Sequence, residues 1–296
     1  MKKINKLGEM SSKMLVTMVL LVAGIVILGI VFAQIGWTIQ SDKEVCHQSV
    51  IMRGTLPDTL NIKDLPPLKC KTDKICVTNK MFGKGECEDS LGKDYTTMRV
   101  SSDKTKAEEE IKKILADNLA ECWAMMGEGK IQVFAREGVP PKDLCVICSR
   151  IDFDKNVDLK NIKGTSEYLI KENIPNKEIS YFSFLTDKKR YDESLSSKEI
   201  DVLDTSEKAI VFTEFYETKY DQMIGTGLVG LLSLKLAFVT GPQFAGAVFF
   251  AGSKAVQYIS NWANGNPPDY FTSISITDYD SEDISKLGCD SLESIS

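Results

Sequence analysis

The sequence predicts an α+β fold class, in which an N-terminal transmembrane helix precedes a disulfide-stabilised extracytoplasmic mixed α/β domain with an apolar helical hairpin. Three observations support this: an uncharged run over Met14–Trp37, eight cysteines that all follow it, and helical and strand-like segments that do not alternate regularly. The expected organisation is a cytoplasmic basic flank (1–13), a transmembrane helix (14–37), a Cys-rich neck (38–101) and an extracytoplasmic α+β domain (102–296).

The run Met14–Trp37 has the length and composition of a bilayer-spanning helix. Its 24 residues would extend roughly 36 Å, against a hydrocarbon core of about 30 Å. Lysines dominate residues 1–13, so the positive-inside rule predicts a single-pass cell-membrane protein with a cytoplasmic N-terminus and the bulk of the chain outside. A cleavable signal peptide is the alternative, although its apolar region would be shorter. Processing at Lys6-Leu7-Gly8-Glu9 is a further alternative.

The charge balance argues against nucleic acid as a partner. The whole chain carries −6 and residues 1–13 carry +3, which leaves −9 beyond the anchor. Such a domain repels a phosphate backbone. The expected partners are therefore the lipid bilayer and an envelope protein.

The eight cysteines are even in number and all follow the anchor, which is typical of disulfides formed in an oxidising compartment. We expect pairing within two groups of neighbours: Cys46, Cys70, Cys76 and Cys87, and then Cys122, Cys145, Cys148 and Cys289. Cys145-Val146-Ile147-Cys148 also has the spacing of a redox or metal site. It lies in a predicted strand, where positions three apart face opposite sides, so structural disulfides are favoured.

The strongest helical pattern outside the anchor begins at Thr105, which forms a capping-box pattern with Glu108, and ends at Gly127-Glu128-Gly129. Cys122 lies on its apolar stripe and is expected to be buried. A second helix is expected near Ser166 to Asn173.

Short runs rich in β-branched and aromatic residues predict the strands. These runs are Ile131–Ala135, Leu144–Phe153, Ile179–Leu185, Ala209–Glu217 and Tyr270–Tyr279. The segment Ser41–Ser101 shows little periodicity and is expected to be dominated by loops.

The apolar stretch Met223–Ile259 is interrupted by Gly241-Pro242, which predicts a buried helical hairpin. A second transmembrane span or an interfacial insertion is the alternative. Lys235 argues against a span because a lysine in mid-membrane is costly, and a second crossing would also return Cys289 to a reducing compartment.

No motif in the chain specifies a reaction, and no catalytic residue is assigned. His47 is the only histidine, and it lies in the irregular region close to the anchor, badly placed for a triad. Glu214 shares a predicted strand face with Phe212 and is expected at a sheet edge. A GxGxxG match at Gly225–Gly230 lacks the strand-to-helix context of a dinucleotide site.

One segment carries oxygen side chains at the spacing of a calcium-binding loop. These residues are Asp152, Asp154, Asn156 and Asp158. The pattern departs from that loop at Val157, where a turn glycine is needed, and at Lys163, where a bidentate glutamate is needed. A solvated loop is therefore favoured, no cofactor is expected, and Ca²⁺ is kept as the weaker alternative.

Four cysteine-containing runs resemble uncharacterised archaeal membrane-anchored, cysteine-containing exported proteins. The runs are Cys46-His47-Gln48-Ser49-Val50, Cys70-x5-Cys76, Glu121-Cys122-Trp123-x3-Gly127-Glu128-Gly129-Lys130 and Cys145-Val146-Ile147-Cys148-Ser149-Arg150. The resemblance implies an archaeal envelope location and carries no known activity, so it transfers no functional residue.

The expected function is that of a non-catalytic, membrane-anchored extracytoplasmic structural or binding protein of the cell envelope. One alternative is an exported enzyme, either a thiol-disulfide oxidoreductase using Cys145 and Cys148 or a carboxylate-based hydrolase. Another alternative is a membrane-inserting protein that uses the apolar region 223–259.

Overall fold

The computed structural model of the protein describes residues 16–27, 42–56, 67–131, 133, 144–186, 202–216, 236–240, 248–250, 270–279 and 291–293. The chain divides into two compact units, Met1–Asp42 and Lys43–Ser296.

Residues 16–27 form a helix, α1. All nine of its large apolar side chains are between 53% and 67% exposed. Residues 14, 15 and 28–37 of the predicted transmembrane helix lie outside the described residues. Within the described ranges, no helix combines the length and the apolar composition needed to cross a membrane.

The remaining elements mix helices and strands along the chain. The helices are α2 (Asp42–Thr55), α3 (Glu88–Leu91), α4 (Lys104–Met125), α5 (Thr165–Lys171) and α6 (Tyr181–Thr186), with a 3₁₀ turn over Gly127–Gly129. The strands are β1 (Asp73–Thr78), β2 (Thr96–Arg99), β3 (Leu144–Phe153), β4 (Asn161–Lys163), β5 (Val202–Asp204), β6 (Lys208–Tyr216), β7 (Leu236–Thr240), β8 (Val248–Phe250), β9 (Tyr270–Asp278) and β10 (Ser291–Glu293).

Eight of these strands form one mixed sheet in the order β2-β1-β3-β6-β9-β7-β8, with β10 paired to β3. Strand β1 runs parallel to β2 and β3, and β10 also runs parallel to β3. The pairs β3 with β6, β6 with β9, β9 with β7, and β7 with β8 are antiparallel. The predicted mixed α/β domain is therefore confirmed.

The core lies between the sheet and α4, which packs against β3, β6 and β9. Leu115 and Leu119 of α4 are fully buried in the same cluster as Phe212 and Ile274 of the sheet. Asp103 caps the helix, because its carboxylate accepts a hydrogen bond from the backbone N–H of Lys106 at 2.9 Å. The cap therefore precedes the predicted Thr105 by two residues.

Several predicted elements are confirmed. Leu144–Phe153 is β3, and the predicted strands near 209–217 and 270–279 match β6 and β9. The predicted helix near Ser166 matches α5. Cys122 is fully buried on α4, as its place on the apolar stripe predicts. Of the predicted strand Ile131–Ala135, Ile131 and Val133 are described and are not in a strand, and the other residues lie outside the described ranges.

The prediction that loops dominate Ser41–Ser101 is wrong at the residues that are described, 42–56 and 67–101. This segment contains α2, β1 and β2, and β1 pairs directly with β3, so these residues belong to the same sheet as the later strands. The helical signal of α2 is short: Cys46, Ser49 and Val50 are buried at three- and four-residue steps among polar residues.

The predicted strand Ile179–Leu185 is also wrong, because this segment forms α6. The hydroxyl oxygen of Ser180 accepts a hydrogen bond from the backbone N–H of Ser183 at 3.1 Å, which caps the first turn. Tyr181, Phe182 and Leu185 are buried at helical spacing. The aromatic composition therefore favoured a strand, while local capping and burial favour a helix.

The predicted helical hairpin over 223–259 is contradicted at the residues that are described. Leu236–Thr240 and Val248–Phe250 are the antiparallel strands β7 and β8, and β7 also pairs with β9. Valine and phenylalanine suit a pleated sheet, and periodicity does not separate a short apolar strand from a helix. The rest of 223–259 lies outside the described residues.

Candidate functional site

Disulfide bonds are the best-defined chemical feature of the domain. They join Cys46 to Cys70, Cys76 to Cys87, and Cys122 to Cys148. Each bond joins two members of one predicted group. Cys145 is disulfide-bonded as well, and Cys289 lies outside the described residues. Three disulfides indicate an oxidising, extracytoplasmic environment.

Each disulfide attaches a helix, or the start of one, to another part of the domain. The first joins α2 to the segment before β1, the second joins β1 to the residue before α3, and the third joins α4 to β3. In the chain-entropy account, bonds that close loops of this size contribute about 3 kcal/mol each. The disulfides therefore attach α2, α4 and the start of α3 to β1, to β3 or to the segment that leads into β1.

This pairing does not join Cys145 to Cys148, the two cysteines that the thiol-disulfide oxidoreductase alternative uses. A redox pair needs two cysteines that bond to each other and that solvent can reach. Cys148 is bonded instead to Cys122. Cys145 and Cys148 are also 0% and 2% exposed.

His47 has a structural position. Its Nδ1 lies 3.1 Å from the carbonyl oxygen of Met125, at the C-terminal end of α4, so this nitrogen donates a hydrogen bond there. The neighbouring Cys46 is disulfide-bonded and is not available as a nucleophile. His47 thus joins α2 to the end of α4.

Of the four predicted oxygen ligands, Asp154 and Asn156 contact each other, and Asp154 is the most deeply buried. It is 1% exposed and accepts hydrogen bonds from the hydroxyl of Thr78 and the backbone N–H of Glu86, both at 2.9 Å. The side-chain amide of Asn156 donates to it at 2.7 Å. Burial alone would raise the pKa of Asp154, but these hydrogen bonds lower it to about 2.

The other two carboxylates of this set contact elements that lie elsewhere. Asp152 accepts a hydrogen bond from Ser90 of α3, and Asp158 forms an ion pair with Lys104 of α4 at 2.7 Å. Over the described part of the chain, no three metal-ligating side chains come together. These oxygens stabilise the fold by linking β3 and the residues after it to β1, α3 and α4.

Glu214 does not lie at a sheet edge, as the sequence predicted. It is fully buried on β6, between β3 and β9, and accepts a hydrogen bond from the backbone N–H of Val133 at 2.9 Å. Its carboxylate thus attaches Val133, which follows the 3₁₀ turn Gly127–Gly129 along the chain, to the centre of the sheet.

Sequence reasoning missed an ion cluster around a buried lysine at the start of β6. Lys208 is fully buried and contacts the carboxylates of both Asp204 and Asp278. Burial would raise the pKa of Asp204, but hydrogen bonds from Lys208 and Ser206 hold it well below its usual range. This cluster ties β5, β6 and β9 together.

A half-open groove runs along α4 and is the best candidate for a binding surface. Its volume is about 410 Å³. Its apolar lining comes from the β1–β2 edge, from α4 and from the segment around α6: Ile75, Met98, Ile114, Ala120, Ala124, Ile174, Pro175 and Phe184. Its charged lining comes from Lys43, Asp117, Glu121 and Lys177.

Three of these charged groups, Lys43, Glu121 and Asp117, are fixed in place. Lys43 lies 2.9 Å from Asp73 and 2.5 Å from Glu121. Burial opposes its charge, but both carboxylates raise its pKa. The phenol of Tyr181 donates a hydrogen bond to Asp117.

The groove lies beside β2, which is the edge strand of the sheet among the described strands. Met98 of β2 both lines the groove and is 37% exposed. An exposed strand edge next to an apolar groove can receive an extended polypeptide, which pairs through its backbone and places alternate side chains in the groove.

No known protein family, curated protein or solved structure matches the chain.

Proposed function

We propose that this protein is a non-catalytic, single-pass membrane protein whose disulfide-stapled extracytoplasmic domain binds a partner in the cell envelope. The observation that carries the proposal is α1, whose nine large apolar side chains are each more than half exposed. Exposing apolar surface to water costs about 25 cal/mol per Å². This free-energy cost is absent when the apolar side chains of α1 are surrounded by lipid instead of water.

The sequence around α1 supports an anchor. The uncharged run continues to Trp37, which supplies the length of a bilayer crossing, and lysines precede it. The disulfides of the second unit support an extracytoplasmic domain on the other side. The resemblance of the cysteine-containing runs adds an archaeal envelope to the proposal.

The proposed binding surface is the groove along α4, and its occupant is an extended apolar segment of an envelope protein. The segment pairs with the edge of β2 and places apolar side chains against Met98 and Ala124. Two lysines and two carboxylates line the groove, so a segment without net charge fits best.

Alkaline carbonate extraction of membranes that contain the full chain tests the anchor. An integral anchor keeps the protein in the membrane pellet, because high pH releases only peripheral proteins. Recovery of the protein in the supernatant would contradict the proposal.

Photo-crosslinking in cells tests the groove. A photoreactive residue at Met98 is expected to give one discrete adduct, and Ala124→Glu should abolish that adduct by placing a charge in the groove. Ile51 on α2 is the matched control position, because it has the same 37% exposure and does not line the groove. Equal adducts from both positions, or an adduct that survives Ala124→Glu, would overturn the assignment.

A further inference from the structure

The loop between β1 and α3 presents two bare apolar side chains at its tip. Met81 and Phe82 are 79% and 85% exposed, which makes them the most exposed large apolar side chains in the described part of the chain. Single exposed apolar residues are common on protein surfaces. Two adjacent ones, almost fully exposed on a constrained loop, need an explanation.

The structure holds this loop in one conformation. The Cys76–Cys87 disulfide closes its base. Arg99 donates a hydrogen bond to the carbonyl of Gly83 at 2.8 Å, and the phenol of Tyr95 donates to the carbonyl of Gly85 at 2.6 Å. The tip is therefore already ordered in the unbound protein, so binding costs little conformational entropy of the loop.

Gly85 shows how closely this loop packs on its base. A Cβ atom at this position would lie 2.4 Å from the sulfur of Cys76 and 3.3 Å from Cβ of Thr78. The loop therefore requires glycine there. Gly83 has a φ of +84°, which also favours glycine and turns the chain directly after Phe82.

The charge around the tip is opposite to that of the rest of the exterior. Lys80 and Lys84 flank the two apolar residues, and Arg99 reaches the same turn. Lys80 is already paired with two carboxylates, Glu86 at 2.5 Å and Asp154 at 3.6 Å, so Lys84 is the lysine of the tip that carries the argument. The chain beyond the anchor carries −9, so a basic tip stands out against an acidic background.

We propose that this tip, residues 80–84, inserts Met81 and Phe82 into the interfacial layer of an anionic bilayer while Lys84 contacts the headgroups. Lysines that flank an apolar pair can keep their charges in the headgroup region while their stems follow the apolar residues inward. The inference rests on the proposed anchor, which keeps the loop at a high effective concentration near lipid.

The shape of the tip favours lipid over a protein partner. A stable protein interface buries about 800 Å² on each side. Two side chains on a narrow convex loop supply much less than that. A bilayer requires no matching shape, and its negative surface attracts basic groups.

Fluorescence quenching by brominated lipids tests the proposal. The full chain carrying Phe82→Trp is reconstituted into vesicles of phosphatidylcholine and phosphatidylglycerol, and the emission of the unsubstituted protein is subtracted because the chain has three tryptophans. We expect the added emission to be quenched by lipids brominated near the headgroup end of the acyl chain. We also expect it to resist aqueous iodide.

Two variants give the control and the charge test. Ile51→Trp places an indole at another exposed position of the domain, and aqueous iodide should quench its emission. Adding Lys84→Glu to Phe82→Trp should abolish the lipid quenching in anionic vesicles. All three substitutions fall on exposed side chains, and non-reducing mass analysis checks that the disulfides remain intact.

The outcomes separate the two proposals. If the protein does not co-float with the vesicles in a density gradient, the proposed membrane anchor is contradicted. A chain that floats, but whose added indole is quenched by iodide and not by brominated lipid, overturns the tip insertion and points to a protein partner for Met81 and Phe82. Lipid quenching that is unchanged by Lys84→Glu overturns the role given to the headgroups.

Discussion

Helices α1 and α4 differ in the exposure of their apolar side chains. In α1 the most buried of the large apolar residues, Val26, is still 53% exposed, whereas Ile111, Leu115 and Leu119 of α4 are completely buried. Helix α4 places its apolar stripe against the sheet and, apart from the buried Lys112, keeps its charged residues at least partly exposed. Helix α1 is apolar on every side, which is typical of a membrane span. The two helices therefore differ in whether apolar residues cover the whole helix surface, as in α1, or only one stripe of it, as in α4.

The largest expected effect comes from placing charge in α1, the proposed anchor. Leu21→Lys combined with Ile25→Lys should move the protein from the carbonate-resistant pellet to the soluble fraction, because each lysine near mid-membrane costs about 2.5 to 3.5 kcal/mol. The thermal unfolding midpoint of the second unit should not change. Leu21→Phe with Ile25→Phe is the matched control and should stay in the pellet. Equal extraction of both double variants would contradict the proposal that α1 lies in lipid while α4 packs against protein.

A cavity in α4 should have a smaller effect, and on stability alone. Leu119→Ala removes a fully buried side chain and should lower the free energy of unfolding by about 3 kcal/mol. Leu20→Ala makes the same chemical change at a position that is 67% exposed, and chemical denaturation should show almost no loss. Similar losses for the two variants would show that α1 is packed against protein.

The smallest of these effects concerns Asp154, whose buried charge is satisfied inside the domain. Its pKa of about 2 lies below the ordinary 3.8, so the ionised carboxylate stabilises the folded state by about 2 kcal/mol above pH 4. This contribution should disappear as the pH falls from about 4 to about 2. Asp154→Asn should flatten that part of a stability-against-pH curve. The exposed Asp158→Asn is the control, and an equally large change there would contradict the account.

The long elements of the domain could be predicted because their signals are local and repeated. Helix α4 carries an apolar stripe over many turns, and β3, β6 and β9 are long runs of β-branched and aromatic residues. The short elements could not be predicted in this way. For α6, the one local sign of a helix is the capping residue Ser180, and the aromatic composition of the segment favours a strand more strongly.

The site depends on contacts between residues that are distant in sequence, which no local pattern reports. The spacing of Cys145 and Cys148 suggested a pair, yet Cys148 bonds to a residue 26 positions away. Asp154 fitted a ligand pattern, yet it bonds to Thr78, 76 positions away. The groove along α4 is likewise assembled from strands and helices that only the fold brings together.

The central claim is that the cysteine-bearing domain lies outside the membrane to which the chain is anchored. Labelling of intact cells with a membrane-impermeant maleimide, before and after an impermeant reductant, tests it most directly. We expect no labelling before reduction, and labelling of the domain's cysteines once the impermeant reductant has opened the disulfides while the cells are still intact. Cysteines that react only after the cells are lysed, or that react without reductant, would contradict the account.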